Sequence, residues 1–117
     1  MYINGFVVPV PEGSKAAYKD MAEKFWAIAK EHGALSQMEA WELDVPDGKA
    51  TDMRRAVALE PGEKVVFSWI VWPDKATADA SHAKIMDDPR AADFGEMPFD
   101  GKRMIFGGFE PLLDVKA

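Results

Sequence analysis

The sequence predicts an α+β fold, a ferredoxin-like βαββαβ sandwich with an antiparallel sheet. Three observations lead to this prediction. The elements follow the order strand, helix, strand, loop, strand, helix, strand. The strand and helix segments have the lengths expected for a split βαβ sandwich. The chain has 117 residues, enough for one domain, so residues 1–117 are predicted to form a single domain.

The first half of the chain predicts a strand, a helix and a second strand. Residues 2–10 are apolar on both faces, and Pro9 should lie at a strand end or edge because it has no N–H to donate. Ser14 is a predicted N-cap for a helix that runs to about His32. Residues 35–45 predict the second strand, although polar residues interrupt its alternation of apolar and polar side chains. The apolar stripe of the helix comprises Tyr18, Met21, Ala22, Phe25, Ile28, Ala29 and His32. The residues that blur the strand are Gln37, Glu39 and Glu42.

The second half predicts a loop, a strand, a helix and a last strand. Residues 46–63 form a long connection in which 55–59 could pair as an edge strand. Residues 64–72 are the strongest predicted strand. Asp74 should cap a helix that ends near Asp87, and the last strand covers 103–110. The residues of this helix predicted to face the core are Ala76, Ala80, Ala83 and Met86.

Composition disfavours several classes of partner. The formal net charge is −6 with a pI of about 4.8, so phosphate backbones and anionic lipids should be repelled, and neither nucleic acid nor membrane is an expected partner. The chain has no cysteine, which removes disulfides and thiolate sites. No signal peptide or long apolar segment is recognisable, so a cytoplasmic location is expected.

The second face of the sheet predicts a homodimer. The first and third strands are apolar on both sides, and a monomer would expose one of these faces to water. A two-fold contact between sheets would bury it. The alternative is that the 46–63 loop and the C-terminal segment Pro111–Val115 cover this face.

Six segments of the chain resemble one known family. They are NGFVVPVP at 4–11, EHGAL at 31–35, DVPDGKATD at 44–52, VVFSWIVWP at 65–73, DDPR at 87–90 and MPFDGKRMIFGGFE at 97–110. Together they resemble the YbaA-like proteins, an uncharacterised family of the dimeric α/β-barrel superfamily. The resemblance implies a ferredoxin-like protomer whose sheet packs on that of its partner. Asn4 and Phe106 depart from the acidic residue and the tyrosine usual at these positions. The superfamily includes cofactor-independent monooxygenases, lactone isomerases and haem enzymes, so it implies no single reaction.

His82 and Asp79 are the candidate catalytic residues. They lie three residues apart on the second long helix, so the carboxylate could orient an imidazole that acts as a base or as a haem ligand. A partly exposed ion pair on the helix surface explains the same pattern. His32 is interpreted as a helix C-terminal charge. Two histidines without metal-binding spacing predict no metal site, and no cofactor is predicted.

Trp69, Arg103 and Arg54 are the candidate ligand-binding residues. Trp69 lies in the central strand and could stack on a flat substrate, although tryptophans are more often core or interface anchors. Arg103 could hold a carboxylate of a ligand or of a neighbouring loop, and Arg54 is a further possible anion-binding group. The leading hypothesis is therefore that a small hydrophobic or aromatic metabolite binds in a cleft between sheet and helices. The alternatives are a non-enzymatic dimeric module with a filled core, and a haem protein with an open site beside His82.

Overall fold

The computed structural model describes residues 1–117 and confirms the predicted α+β, ferredoxin-like fold. Four antiparallel strands form one sheet in the order β2-β3-β1-β4. The strands are β1 (Tyr2–Pro11), β2 (Ser36–Trp41), β3 (Glu63–Trp72) and β4 (Ile105–Phe109). The helices are α1 (Lys15–Ala29), the short α2 (Met53–Ala56) and α3 (Lys75–Asp87), and 3₁₀ turns cover Glu12–Ser14, Lys30–His32 and Pro89–Phe94. None of the helices combines the length and the apolar composition needed to span a bilayer.

The two apolar strands β1 and β3 lie side by side at the centre of the sheet. They pair along their whole length, from Tyr2 opposite Trp72 to Pro11 opposite Glu63. On its other side β1 pairs with β4 only as far as Val7. Pro9 therefore has no partner strand on that side, and the missing N–H interrupts no ladder, as the sequence predicts.

Helices α1 and α3 cover one face of the sheet, where the core lies. The stripe predicted for α1 is confirmed, since Tyr18, Ala22, Ile28 and Ala29 are buried. Ser14 occupies the N-cap position of α1 as predicted, although its side chain makes no capping hydrogen bond. The core has two clusters. One comprises Ile28, Ala29, Ala34, Ile70, Trp72, Ala78 and Ile85, and the other Val8, Val10, Tyr18 and Val66.

The predicted inner face of α3 is wrong. The buried residues of this helix are Ala78, Ser81 and Ile85, whereas Ala76, Ala80, Ala83 and Met86 are exposed. The reason is that Ser81 is accommodated in the interface, because its hydroxyl lies 2.8 Å from the carbonyl oxygen of His32 and 2.6 Å from that of Thr77. A buried hydroxyl with partners costs little, so apolarity alone does not identify the inner face of so alanine-rich a helix.

The long connection before β3 contains a short helix and no edge strand. Asp52 caps α2 by accepting from the backbone N–H of Arg55 at 2.8 Å, and it also accepts from the N–H of Gly48 at 3.1 Å. Val57 in this segment and Val65 on β3 are both buried. Since Val65 lies on the face away from the helices, the segment covers that end of the second sheet face.

The rest of the second face is open. Its exposed apolar side chains are Met38, Phe67, Ile105 and Phe109, which we call the open sheet face. The C-terminal segment does not cover it, because Leu112 is fully exposed and Leu113 is 78% exposed. The idea that this tail shields the sheet is therefore wrong.

Candidate functional site

A cleft of about 590 Å³ opens between helix α1 and the edge of the sheet at β2. We call it the α1–β2 cleft. Its volume lies within the range of small-molecule sites, which is roughly 300–1,000 Å³. The residues that line it are Lys15, Tyr18, Lys19, Ala22, Glu23, Trp26, Ser36, Gln37, Glu39, Trp41 and Val66.

Glu39 forms the polar floor of the cleft. Its carboxylate accepts a hydrogen bond from the Tyr18 hydroxyl at 2.5 Å and another from the hydroxyl of Ser68. Ser68 lies directly opposite Glu39 in the register of β2 and β3, and Tyr18 approaches from α1. Three elements thus position one half-buried carboxylate, and both hydroxyl donors are themselves buried. Such an arrangement suits a charged group in a partly dry site, because each oxygen retains a donor.

The environment of Tyr18 raises its pKa. Burial of the phenol is the largest cause, and the adjacent Glu39 carboxylate adds to it by its charge and by its hydrogen bond. Tyr18 therefore remains a hydrogen-bond donor to Glu39 at any physiological pH.

The Tyr18–Glu39 contact predicts a loss of stability at alkaline pH. The folded pKa of Tyr18 is raised above the value of about 10 for an unfolded tyrosine. The stabilisation is thus complete below pH of about 10 and is lost as the pH rises further, because the unfolded chain releases the proton more readily. Urea unfolding at pH 9 and pH 11 should show that the unfolding constant increases with pH, by up to about tenfold per pH unit above pH of about 10. Tyr18→Phe should remove this part of the dependence, and equal slopes in both proteins would contradict the assignment.

Gln37 lines the same cleft and has one buried acceptor without a partner. Its Nε2 donates to the carbonyl oxygen of Ala22 at 3.4 Å, which sets the orientation of the amide, since a flipped amide would place two oxygens together. The Oε1 atom is buried and has no hydrogen-bond partner. A buried acceptor without a donor is costly, but this atom has almost no accessible surface, so a molecule in the cleft would not contact it as it is placed.

Two tryptophans and a lysine form the apolar walls and the mouth. Trp26 on α1 and Trp41 on β2 both line the cleft, and the Nζ of Lys15 lies 5.3 Å from the centroid of a Trp41 ring. Lys19 pairs with Glu23 at 3.4 Å, whereas Lys15 has no carboxylate within ion-pair distance. The cleft therefore combines aromatic walls, an anionic floor and a cationic mouth.

Residues 1–101 match the family described as "Protein of unknown function (DUF1428)". The chain belongs to this family. It is 57% identical over 114 residues to "Uncharacterized protein YbaA" of Escherichia coli K12, a match that covers 97% of each chain. The same identity and coverage hold for the protein of that name in Shigella flexneri. The resemblance to YbaA-like proteins is thereby confirmed.

Two solved structures share the fold of this family member. One is the crystal structure of a MhuD mutant with two manganese protoporphyrin IX molecules bound per active site, with a TM-score of 0.59, 17% identity and complete coverage of both chains. The other is Atu4242 from Agrobacterium tumefaciens, with a TM-score of 0.52, 15% identity and coverage of 95% and 93%. At these identities the likeness concerns the fold alone.

His82 and Asp79 do not form a pair in the structure. The Asp79 carboxylate bonds the Nζ of Lys75 at 2.5 Å, on an exposed turn of α3. The His82 ring is exposed and lies 6.4 Å from a Trp72 ring, centroid to centroid. Neither residue lines the α1–β2 cleft. The expected surface ion pair between His82 and Asp79 is therefore also absent, because Asp79 pairs with Lys75 instead.

Trp69 lies on the opposite side of the sheet from the cleft. Its neighbour Ser68 faces Glu39 and the helices, so Trp69 points to the other face, where its ring lies 5.4 Å from Phe67. Strand alternation decides this position. The tryptophans of the cleft are Trp26 and Trp41, and the placement of Trp69 between sheet and helices is corrected accordingly.

Arg54 is engaged by carboxylates of its own chain. Its guanidinium bonds Glu42 at 2.8 Å and lies 3.7 Å from Asp47. The Glu42 side chain is nearly buried and also accepts from the backbone N–H of Val65 at 2.9 Å. Arg54 thereby joins the 42–62 segment to β3, at a distance from the cleft lining.

Arg103 is also saturated by internal partners. It makes a double hydrogen bond to Glu63, with both contacts at 2.7 Å, and further contacts to Asp100 at 3.0 Å and to the carbonyl oxygen of Ala58 at 3.1 Å. The bonded guanidinium lowers the pKa of the Glu63 carboxyl. Arg103 thus connects β3, the preceding segment and the turn before β4.

Arg103→Leu should lower the melting temperature by about 5–10 °C, because it leaves the shielded Glu63 carboxylate without its partner. Arg103→Lys should recover part of the loss, since a lysine keeps the charge but cannot form the double contact. Thermal unfolding followed by circular dichroism measures both. A variant that melts like the parent protein but no longer binds a ligand would instead favour the ligand-binding role.

The residues that the sequence analysis missed are Glu39, Tyr18 and Gln37. Their signal was present on β2, where polar residues interrupt the apolar alternation at positions 37 and 39. Two polar side chains at a two-residue spacing share one sheet face. Tyr18 could not be distinguished from an ordinary member of the α1 stripe. Among His, Asp and Glu side chains, no group of three is arranged to hold a metal ion.

Proposed function

We propose that this protein binds a small hydrophobic or aromatic metabolite in the α1–β2 cleft. The observation that carries the proposal is the cleft itself, which has a volume of about 590 Å³ and is lined by two tryptophans beside the polar pair Tyr18 and Glu39. A module with a filled core would not be expected to keep an open cleft of this size. An apolar cleft with a few convergent polar groups is the usual form of a ligand site.

The cleft also contains groups suited to proton transfer. Glu39 is a carboxylate within hydrogen-bond reach of two hydroxyls, so a bound molecule would meet both an acceptor and a donor system. Any catalysis would use these residues, which lie in the cleft, in preference to His82 and Asp79, which do not.

Two tryptophan variants test the proposed site. A neutral aromatic probe, 3-methylindole, is titrated while the indole N–H signals of the protein are followed by NMR. Trp41→Ala should weaken binding about tenfold, because one aromatic wall is lost. Trp69→Ala removes the same side chain from the opposite sheet face and should leave the affinity unchanged. Loss of binding in Trp69→Ala alone would overturn the proposed location and restore the prediction from sequence.

We further propose that the chain forms a homodimer through its open sheet face. Four large apolar side chains of this face are substantially exposed, and neither the helices nor the C-terminal tail covers them. Contiguous apolar surface of this kind normally marks an interface, and a two-fold contact lets each copy cover the other. Location in the cytoplasm, consistent with the lack of cysteine, is part of the same proposal and can be tested by cell fractionation.

Native mass spectrometry of the freshly purified protein tests both proposals together. Two chains with a discrete extra mass would support the dimer and the ligand site. Two chains without an extra mass would support the dimer and would favour a non-enzymatic module with a filled core over a ligand-binding protein. A single bare chain would contradict the dimer.

A further inference from the structure

The C-terminal tail, residues 110–117, carries apolar side chains that its own chain leaves in water. The tail follows strand β4 and belongs to no helix or strand. Leu112 is fully exposed, and the side chains of Leu113 and Val115 are also largely exposed. A single exposed leucine is ordinary on a protein surface, but three large apolar side chains so close together form a small apolar patch. The tail therefore has apolar surface to bury and nothing in the protomer to bury it against.

The tail has one apolar side and one charged side. Residues 113–116 are Leu, Asp, Val and Lys in turn, and side chains two positions apart share a side of an extended segment. The structure agrees with this spacing, because the Nζ of Lys116 donates to a carboxylate oxygen of Asp114 at 3.2 Å. Leu113 and Val115 then lie together on the opposite side. Such alternation is typical of a segment that packs one side on an apolar surface and leaves the other in water.

The open sheet face is the apolar surface nearest to the start of the tail. Strand β4 ends at Phe109, which belongs to this face, is 59% exposed and lies opposite Ile3 at the start of β1. The segment before β3 covers the other end of the face, where Val57 and Val65 are buried. The tail thus leaves the sheet at the end of the face that remains uncovered, without packing on the sheet of its own chain.

A second copy of the chain supplies what each of these two surfaces lacks. In a two-fold dimer, each copy offers one uncovered sheet face and one uncovered tail, so the same contact forms twice. From Phe109 to Val115 an extended chain reaches about 20 Å at roughly 3.3 Å per residue. The four strands of the sheet span about 15 Å at roughly 4.8 Å between neighbours. The tail is therefore long enough to reach along a neighbouring sheet.

We propose that the C-terminal tail of each protomer packs on the open sheet face of its partner. Leu113 and Val115 contact apolar side chains at the rim of that face, and the charged side of the tail stays in water. The tail lies at the rim because the two sheets occupy the centre of the interface. This inference rests on the proposed homodimer and specifies a second part of its interface.

Two matched double substitutions test the proposal on the full-length protein by sedimentation velocity. Leu113→Ser/Val115→Ser should raise the dissociation constant of the dimer at least about a hundredfold, because the two-fold symmetry removes each apolar contact twice. Asp114→Ser/Lys116→Ser alters the other side of the same tail, leaves the net charge at −6 and should leave the dissociation constant unchanged. Thermal unfolding checks that both variants are folded.

A photo-crosslink identifies the surface that the tail contacts. The chain has no cysteine, so Leu113→Cys provides a single attachment site for benzophenone maleimide. Irradiation should join two chains, visible as a dimer on a denaturing gel, and peptide mapping should place the link in the strands of the open sheet face. A link formed only within one chain would overturn the exchange of tails.

The outcomes separate this inference from the proposed dimer. If Phe67→Asp dissociates the dimer and Leu113→Ser/Val115→Ser does not, the sheet interface stands and the role of the tail is wrong. If both double substitutions weaken the dimer equally, the partner does not recognise the apolar side of the tail, and the proposal is overturned. A parent protein that sediments as a monomer contradicts both the dimer and the exchange of tails.

Discussion

Glu39→Ala is expected to lower the free energy of unfolding by about 3 kcal/mol. The substitution leaves the buried hydroxyls of Tyr18 and Ser68 without the acceptor that both now use. Each buried polar group left without a partner costs roughly 1–3 kcal/mol, and relief of the desolvation of Glu39 offsets part of the sum. Urea unfolding at neutral pH measures the change.

Glu39→Gln is the matched control for this prediction. The amide keeps the size of the side chain, and its oxygen and N–H₂ can still bond both hydroxyls, so the expected loss is only about 1 kcal/mol. A Glu39→Ala protein as stable as the parent would show that desolvation of the carboxylate cancels its hydrogen bonds. Glu39 would then be retained for ligand chemistry at no benefit to folding.

Phe67→Asp is expected to raise the dissociation constant of the proposed dimer at least about a thousandfold. Phe67 is 46% exposed in the protomer and lies on β3 in the middle of the open sheet face. Two-fold symmetry would place two unpaired carboxylates in one apolar interface, and burial of each is strongly unfavourable. Sedimentation velocity over a range of protein concentrations measures the shift from dimer to monomer.

Phe106→Asp is the control for this substitution. Phe106 is also an exposed aromatic residue, but it packs beside Phe6 on the helix side of the sheet, with ring centroids 6.4 Å apart. The substitution Phe106→Asp should therefore leave the dimer intact. A parent protein that sediments as a monomer at micromolar concentration, or a Phe106→Asp variant that dissociates like Phe67→Asp, would contradict an interface on the open sheet face.

The sequence predicted the fold correctly because alternating and helical periodicities are local. The two faces of β3 and the stripe of α1 follow directly from spacing along the chain, and the structure confirms both. The inner face of α3 was predicted wrongly because its alanines occur on several sides and its buried polar residue, Ser81, resembles a surface residue. There the interaction that decides orientation is a contact with the carbonyl oxygen of His32, far away in sequence.

The candidate site was predicted less well, because it too depends on contacts between residues that are far apart in the sequence. Arg103 and Arg54 were predicted as possible anion-binding groups for a ligand, but each is engaged by carboxylates brought to it by the fold; for Arg103 this includes Asp100 of the neighbouring turn. Glu39 and Ser68 become partners only when β2 and β3 align in register. Spacing along the chain cannot reveal a pair of this kind, because the residues are 29 positions apart.

By itself, the sequence determined the order of the strands and helices, the acidic character of the chain, the membership of a family and the presence of a second apolar sheet face. The family membership rests on matching segments of sequence and on 57% identity to a relative, and the other three depend on composition or on short-range periodicity. Only the tertiary structure decided which polar side chains have partners within the chain and which do not. Hydrogen bonds and ion pairs between distant elements make that distinction: they pair Glu39 with Tyr18 and Ser68, and they leave the Oε1 of Gln37 in the same cleft without a donor.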